Sequence, residues 1–313
     1  MTLTSEIAAR RLALSHALAA HLEWTQNPAA GHRCHFGAVT LNEVELQNAN
    51  LSRASFEGTT LLDADLSMAD LHEAVFQSVD FGRALLRGAD LTGAQLTDAG
   101  FHSSYLSEAY FTEARIEQGN FREARLEGAR FQDAMVLGTV FSHARLNGAL
   151  FHDARLNECD FSGAQLDGVQ MVRARLQHSR LADACGKDAS FQHAKLHSCD
   201  LARAALPGAR FNHADIQAGS LIFADLSWAD FREASFGGSD LTGASLRNAR
   251  MDGVKLFGAN FCGADLTDAQ GFTSQQLLQA RTDERTILPN GRRGPYLRLS
   301  GAERPAARVA ARP

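Results

Sequence analysis

Ala64-Asp65-Leu66-Ser67-Met68 is followed at once by Ala69-Asp70-Leu71-His72-Glu73, and the same five-residue frame runs in both directions. A large apolar residue stands at every fifth position from Leu41 to Leu266. These are 46 positions without an insertion or deletion, and only Gly186 breaks the column. Two residues before each lies a small one, most often alanine, as at Ala49, Ala54, Ala64, Ala69 and Ala74. Neither common period produces this pattern, because an amphipathic helix repeats its apolar face every 3.6 residues and a strand every 2. A period of five suits a coil in which each pentad forms one flat side and the chain turns a corner between pentads. The small and large residues then both point to the axis.

The small-residue column carries a second period that counts the sides. Every twentieth residue from Val39 reads Val39, Thr59, Val79, Ala99, Gly119, Thr139, Cys159, Ser179, Cys199, Gly219, Ser239 and Ala259, whereas the other three columns are nearly all alanine. Four pentads therefore make one turn. Large residues stack at the same spacing, with Phe81, Phe101, Phe121, Phe141 and Phe161 in one column and Leu46, Leu66 and Leu86 in the next.

The frame Ala, Asp or Asn, Leu or Phe, and two variable residues resembles the pentapeptide repeat family. Ala89-Asp90-Leu91-Thr92-Gly93 and Ala259-Asn260-Phe261-Cys262-Gly263 fit it as closely as the opening pair. The resemblance implies an all-β solenoid, a right-handed quadrilateral β-helix. Its period predicts about 11 coils, and at one β-ladder spacing per coil a rod on the order of 55 Å long. In such a solenoid no coil has a core of its own, and stacking neighbours creates one.

Four segments follow. Residues 1–35 form an N-terminal leader, with an amphipathic helix expected over 4–24, capped by Thr4 or Ser5, with Glu6 in its first turn and Ile7, Leu14, Leu18 and Leu22 near one face. His21, Trp24, Gly31 and Arg33 resemble the leader seen ahead of many pentapeptide repeats, and their expected role is to pack the helix over the first coil, whose open edge needs a cap. Residues 36–270 are the β-helix. Residues 271–291 form a C-terminal cap, with Thr273 or Ser274 starting a short helix and Pro289-Asn290-Gly291 making a turn. Residues 292–313 are basic and rich in Ala, Gly and Pro, and are expected to be mobile. Within the repeats, Gly186 demands a void, a bulge or an inward-leaning neighbour.

The five cysteines do not form an oxidised framework. Cys159 and Cys199 share an inward column two coils apart, roughly 9 to 10 Å, beyond bridging distance, and read as buried fillers. No continuous apolar span predicts a membrane helix and no secretory signal is evident. A cytoplasmic protein without a membrane role is the expectation.

Function must lie on the outward columns, where charge is uneven. Residues 36–120 hold 13 acids and 4 bases, residues 121–215 hold 11 and 12, and residues 216–270 hold 7 and 4. Asp65, Asp70, Asp80 and Asp90 mark the acidic part. One face lines up Arg115, Met135, Arg155, Arg175 and Lys195, a ladder that would face an anionic partner or, more simply, water and nearby acids. Tyr105 and Tyr110, and farther on Ile222, Phe223 and Trp228, point outward and are candidates for anchoring a partner. No nucleophile elbow, zinc spacing or complete phosphate loop appears. His193 and His213 stack between Arg173 and Glu233, too few ligands for a metal. No catalytic residue, metal or other cofactor is expected.

The leading reading is a non-enzymatic rod that presents a surface to another protein, as scaffold or adaptor, with no direct nucleic-acid binding; a dimer contact is another use for the same aromatics. The family resemblance implies an alternative, since some pentapeptide repeat proteins mimic duplex DNA and bind type II topoisomerases. The partner would then be DNA gyrase or topoisomerase IV, approached through Asp65, Asp70, Asp80 and Asp90. A secreted effector or secretion-system adaptor on the same rod is the third reading.

Overall fold

The structure is a computed structural model, and it describes residues 3–306, with side chains of the first helix described from Leu12 onward. The chain divides into two units, Met1–Val140 and Phe141–Pro313.

In both units a β-bridge links each residue of one column to the residue twenty positions on. In the first unit Thr40, Thr60, Asp80, Gly100, Asn120 and Val140 are bridged in succession, all parallel. In the second, Asp160, Arg180, Asp200, Ser220, Asp240 and Asn260 repeat the arrangement. This is the parallel quadrilateral β-helix that the period of twenty predicts. One face widens from single bridges into three-residue strands. These are β1 (His35–Gly37), β2 (Ser55–Glu57), β3 (Val75–Gln77), β4 (Gln95–Thr97), β5 (Arg115–Glu117) and β6 (Met135–Leu137) in the first unit. In the second unit they are β7 (Arg155–Asn157), β8 (Arg175–Gln177) and β9 (Lys195–His197), each parallel to the next.

Each pentad has a fixed division of labour. The small residue and the large residue are buried, and the last residue of the pentad takes a left-handed conformation at the corner, as at Asp63 (φ 55°) and Met68 (φ 59°). The core is stacked along the axis. Phe81, Phe101 and Phe121 lie with ring centroids 4.7 and 4.6 Å apart, and Phe191, Phe211 and Phe231 follow at 4.7 and 5.0 Å.

The polar members of the non-alanine column have a cause. The column follows the widened face, where the hydroxyl or thiol of Thr59, Ser179 and Cys199 donates to the carbonyl of the large residue one coil earlier. Thr59 Oγ1 donates to Phe36 O (2.9 Å), Ser179 Oγ to Leu156 O (2.8 Å) and Cys199 Sγ to Leu176 O (3.2 Å). A buried carbonyl without a donor is costly, so a small polar side chain replaces alanine there. At Gly186 the backbone lies close against the preceding coil. A Cβ on Gly186 would stand 2.5 Å from the Leu166 carbonyl carbon and 2.9 Å from Asp167 N, so this pentad has no room for a side chain.

The helix expected over 4–24 is α1 (Leu3–Gln26); Thr4, Ser5, Glu6 and Ile7 have side chains outside the described residues. Of the expected leucine face, Leu14 and Leu18 are half-buried, next to the buried His21, whereas Leu22 is 46% exposed. The first coil is covered in part, with Leu46 and Leu51 buried, Leu41 and Val44 half-buried and Val39 exposed. At the other end Thr273 caps the single-turn helix α2 (Ser274–Leu277) through a reciprocal capping box with Gln276. Arg281, Ile287 and Pro289 then offer their carbonyls to Phe261, Leu266 and Asp268, finishing the last coil. The segment from Arg292, expected to be loose from its composition, is anchored as far as it is described. Tyr296 and Ala302 are buried, and the Tyr296 hydroxyl meets Ser274 Oγ (2.5 Å) and Glu303 Oε2 (2.9 Å). Residues 307–313 lie outside the described residues.

Candidate interaction surfaces

The aspartate before each large residue has a backbone task. Asp65 Oδ1 accepts the Ser67 N–H (2.9 Å), Asp70 Oδ1 that of His72 (3.1 Å), Asp80 Oδ1 that of Gly82 (2.9 Å) and Asp90 Oδ1 that of Thr92 (2.9 Å). These Asx turns shape the bend toward the corner. All four carboxylates are half-buried. Burial pushes the Asp65 carboxyl up, but hydrogen bonds from Ser67 and Gln47 outweigh it and hold it below the usual carboxylate range. The acidic face read from the sequence is thus partly a structural device. Accepting an N–H does not neutralise a carboxylate, and at Asp65 the second oxygen also accepts, from the Gln47 amide (2.6 Å).

Corner charges are largely matched one coil apart. Arg83 pairs with Asp63 (2.5 Å) and Arg53 with Glu73 (2.7 Å) in the first unit, and Arg173 with Asp153 (2.6 Å) and Arg203 with Asp183 (2.7 Å) in the second. The basic ladder is different. Arg115 and Met135 are register partners on β5 and β6. Arg155, Arg175 and Lys195 are register partners on β7, β8 and β9. Among the described residues no carboxylate lies within ion-pair distance of these four cations, and all are exposed.

The outward aromatics fall into two kinds. Tyr105 and Tyr110 each have one ring face covered by the residue twenty positions on. The Arg125 guanidinium lies 4.7 Å from the Tyr105 ring centroid and that of Arg130 lies 4.6 Å from the Tyr110 centroid. Phe223 and Trp228 have no such cover. They are 65% and 64% exposed at successive corners of one coil, with φ of 56° and 64°, and Ile222 beside them is half-buried. Phe257 is 80% exposed as well. It escaped the sequence reading because it occupies an outward slot filled elsewhere by Glu57, Gln77 and Glu117; placing it in that column would have marked it.

Chemistry finds little to work with. Among the described residues no group of three or more His, Cys, Asp or Glu side chains is placed to hold a metal ion. His193 and His213 stack face to face at 4.7 Å, an arrangement that does not converge their nitrogens. Cys34, Cys159, Cys199 and Cys262 are buried free thiols and Cys185 is exposed; burial pushes the Cys199 thiol up to about 11. No described helix is long and apolar enough to cross a membrane.

The coil, its Asx turns and its left-handed corners define a repeat class that direct comparison identifies. Residues 29–111 and 106–184 match the pentapeptide repeat region, and residues 187–221 and 220–258 match the eight-copy pentapeptide repeats. The chain belongs to the pentapeptide repeat family. No curated protein matches it in sequence. Among solved structures it is similar to HetL of Nostoc sp. strain PCC 7120, a pentapeptide repeat protein involved in heterocyst differentiation regulation. The two are 24% identical over 86% of this chain and 97% of HetL, with a TM-score of 0.29. It is also similar to QnrB1, a plasmid-mediated fluoroquinolone resistance protein, at 17% identity over 72% of this chain and 92% of QnrB1, with a TM-score of 0.32. A pentapeptide repeat protein of the Arabidopsis thaliana thylakoid lumen is 28% identical over 41% of this chain and 74% of its own, with a TM-score of 0.14.

Proposed function

We propose that this protein is a non-enzymatic scaffold that binds a protein partner through the corner patch of the second unit, Ile222, Phe223 and Trp228. The carrying observation is the exposure of two aromatics at neighbouring corners of one coil, 65% and 64%. Glycine, asparagine, arginine and histidine fill equivalent corners at Gly243, Asn248, Arg203 and His213, so the coil itself does not call for an aromatic there. Aromatic anchors on a rigid frame supply much contact area with little entropy to lose.

The test is capture of the partner from an extract of the native cells, comparing the unmodified protein with Phe223→Ala/Trp228→Ala and with Asp65→Asn/Asp70→Asn/Asp80→Asn/Asp90→Asn. The scaffold reading expects one complex to vanish with the first variant, survive the second and tolerate added salt. A complex that survives the aromatic variant removes the patch.

DNA mimicry is the second reading, favoured by the acidic excess of residues 36–120 and by the consecutive bridge partners Asn50, Asp70 and Asp90. It expects the opposite behaviour in the same comparison, with steep salt dependence. A gyrase or topoisomerase IV supercoiling assay, run with and without a quinolone, tests it directly: no effect at large excess of the protein ends it.

A further inference from the structure

Where the N-terminal helix meets the first coil, one histidine has two nitrogens with opposite duties. His21 is buried. Its Nδ1 accepts the Cys34 N–H at 2.9 Å, so that nitrogen carries no proton. Its Nε2 lies 3.0 Å from Ser52 O, which can only accept, so that nitrogen is the donor. The ring is thereby fixed as the neutral Nε2–H tautomer, joining α1, the leader and the first coil at one point.

Other described contacts seat the same stretch of the helix around this histidine. Cys34 Sγ donates to Ala17 O (3.3 Å) and His32 N–H to Ala20 O (3.1 Å). Gly31 lies against the helix so closely that a Cβ would stand 2.2 Å from Ala20 O and 2.3 Å from Trp24 N. Trp24 stacks on the His21 ring, with centroids 5.5 Å apart and planes 17° apart. The first coil is covered on one side only, with Leu46 and Leu51 buried while Val39 is exposed and Leu41 and Val44 are half-buried, so the apolar grip on α1 is partial and the polar contacts of His21 lie at its edge.

We propose that His21 is a proton-operated latch, which holds α1 on the first coil while its imidazole is neutral and releases the helix when the ring takes a second proton. A proton on Nδ1 would face the Cys34 N–H, placing two donors against each other in a buried site. The charged and titratable groups facing the ring are few. Arg33 of the leader opposes its protonation and Asp70 of the second coil favours it, while the Cys34 thiol is itself pushed up to about 11 by burial. Burial is the largest influence on His21 and holds it below the ordinary imidazole value of 6.5; the Ser52 carbonyl pulls the other way. The released helix therefore takes the proton more readily than the docked one. Docking is at full strength above 6.5 and weakens as the pH falls below it.

The protein has two tryptophans, Trp24 and Trp228, so Trp228→Phe leaves Trp24 as the sole indole reporter. In that background, Trp24 emission and tryptic cleavage after Arg33 are followed from pH 8 to pH 5, with circular dichroism reporting the coils. The expected result is one transition below pH 6.5, seen in emission and cleavage while the coil signal holds. His21→Gln supplies an acceptor and a donor without a titrating group and should abolish the transition with the helix still docked. Gly31→Ala should give the open pattern at pH 8. Absence of any transition down to pH 5, an unchanged transition in His21→Gln, or loss of the coil signal at the same pH would each overturn the latch.

Discussion

Tyr105 in the first unit and Phe223 in the second are both outward aromatics on one repeating frame, yet they are built in differently. Tyr105 sits in the bridge column before a large residue, 38% exposed, with the Arg125 guanidinium on its ring. Phe223 sits at a left-handed corner, 65% exposed, with its ring lying across Gly243, the next residue in its column. The first aromatic is clasped by a neighbouring side chain. The second rests on bare backbone and leaves most of its surface open, which is why it is the one proposed as an anchor.

Four experiments would break or sharpen that contrast. The largest effect belongs to the buried aromatic stack of the first unit. Phe121→Ala should lose about 3 to 5 kcal/mol, read as a lowered denaturation midpoint; an unmoved midpoint would take Phe121 out of the core. Next, Phe223→Ala and Trp228→Ala should each weaken partner binding by about 2 kcal/mol, roughly 30-fold, in a titration with the captured partner, and Tyr105→Ala should change it far less. Equal losses from the two sites would erase the distinction. Third, Phe223→Asn and Trp228→Asn should raise stability by about 0.5 to 1 kcal/mol, because asparagine tolerates the left-handed corner and a bulky residue does not. A drop would mean that the aromatics stabilise the coil. Smallest, Tyr105→Ala should cost about 0.5 to 1 kcal/mol of stability through the lost cation–π contact, measurable as a shift in the urea midpoint.

Much of this architecture was legible because the repeat is a grid. The period of five assigned burial to Leu66 and Phe121, and the period of twenty identified the stacked columns and the outward Phe223 and Trp228. What the grid could not show were relations that depend on side-chain direction. The covering of Tyr105 by Arg125 needs the guanidinium to fold back along the axis. The Asx role of Asp65 needs one carboxylate oxygen to turn toward its own backbone. Outside the grid the reading weakened further. Leu14 and Leu18 are half-buried where a helical face was expected, but Leu22 is exposed; His21 and Gly31 were marked only by family resemblance, since no periodicity shows the close approach of Gly31 to the helix. Composition also gave no sign of the contacts that hold residues 292–306, where Tyr296 and Ala302 are buried and Tyr296 bonds to Ser274 and Glu303.

The Asx turns have one more implication. At Asn50, Asn120 and Asn260 the amide oxygen accepts the same N–H, two residues on, that a carboxylate oxygen accepts at Asp65 or Asp240. The turn needs an oxygen and is indifferent to the charge behind it. Every such column is therefore a switchboard on which ionised and neutral residues interchange without disturbing the backbone. A lineage of these proteins can repaint its electrostatic surface for a new partner while its scaffold stays as it was.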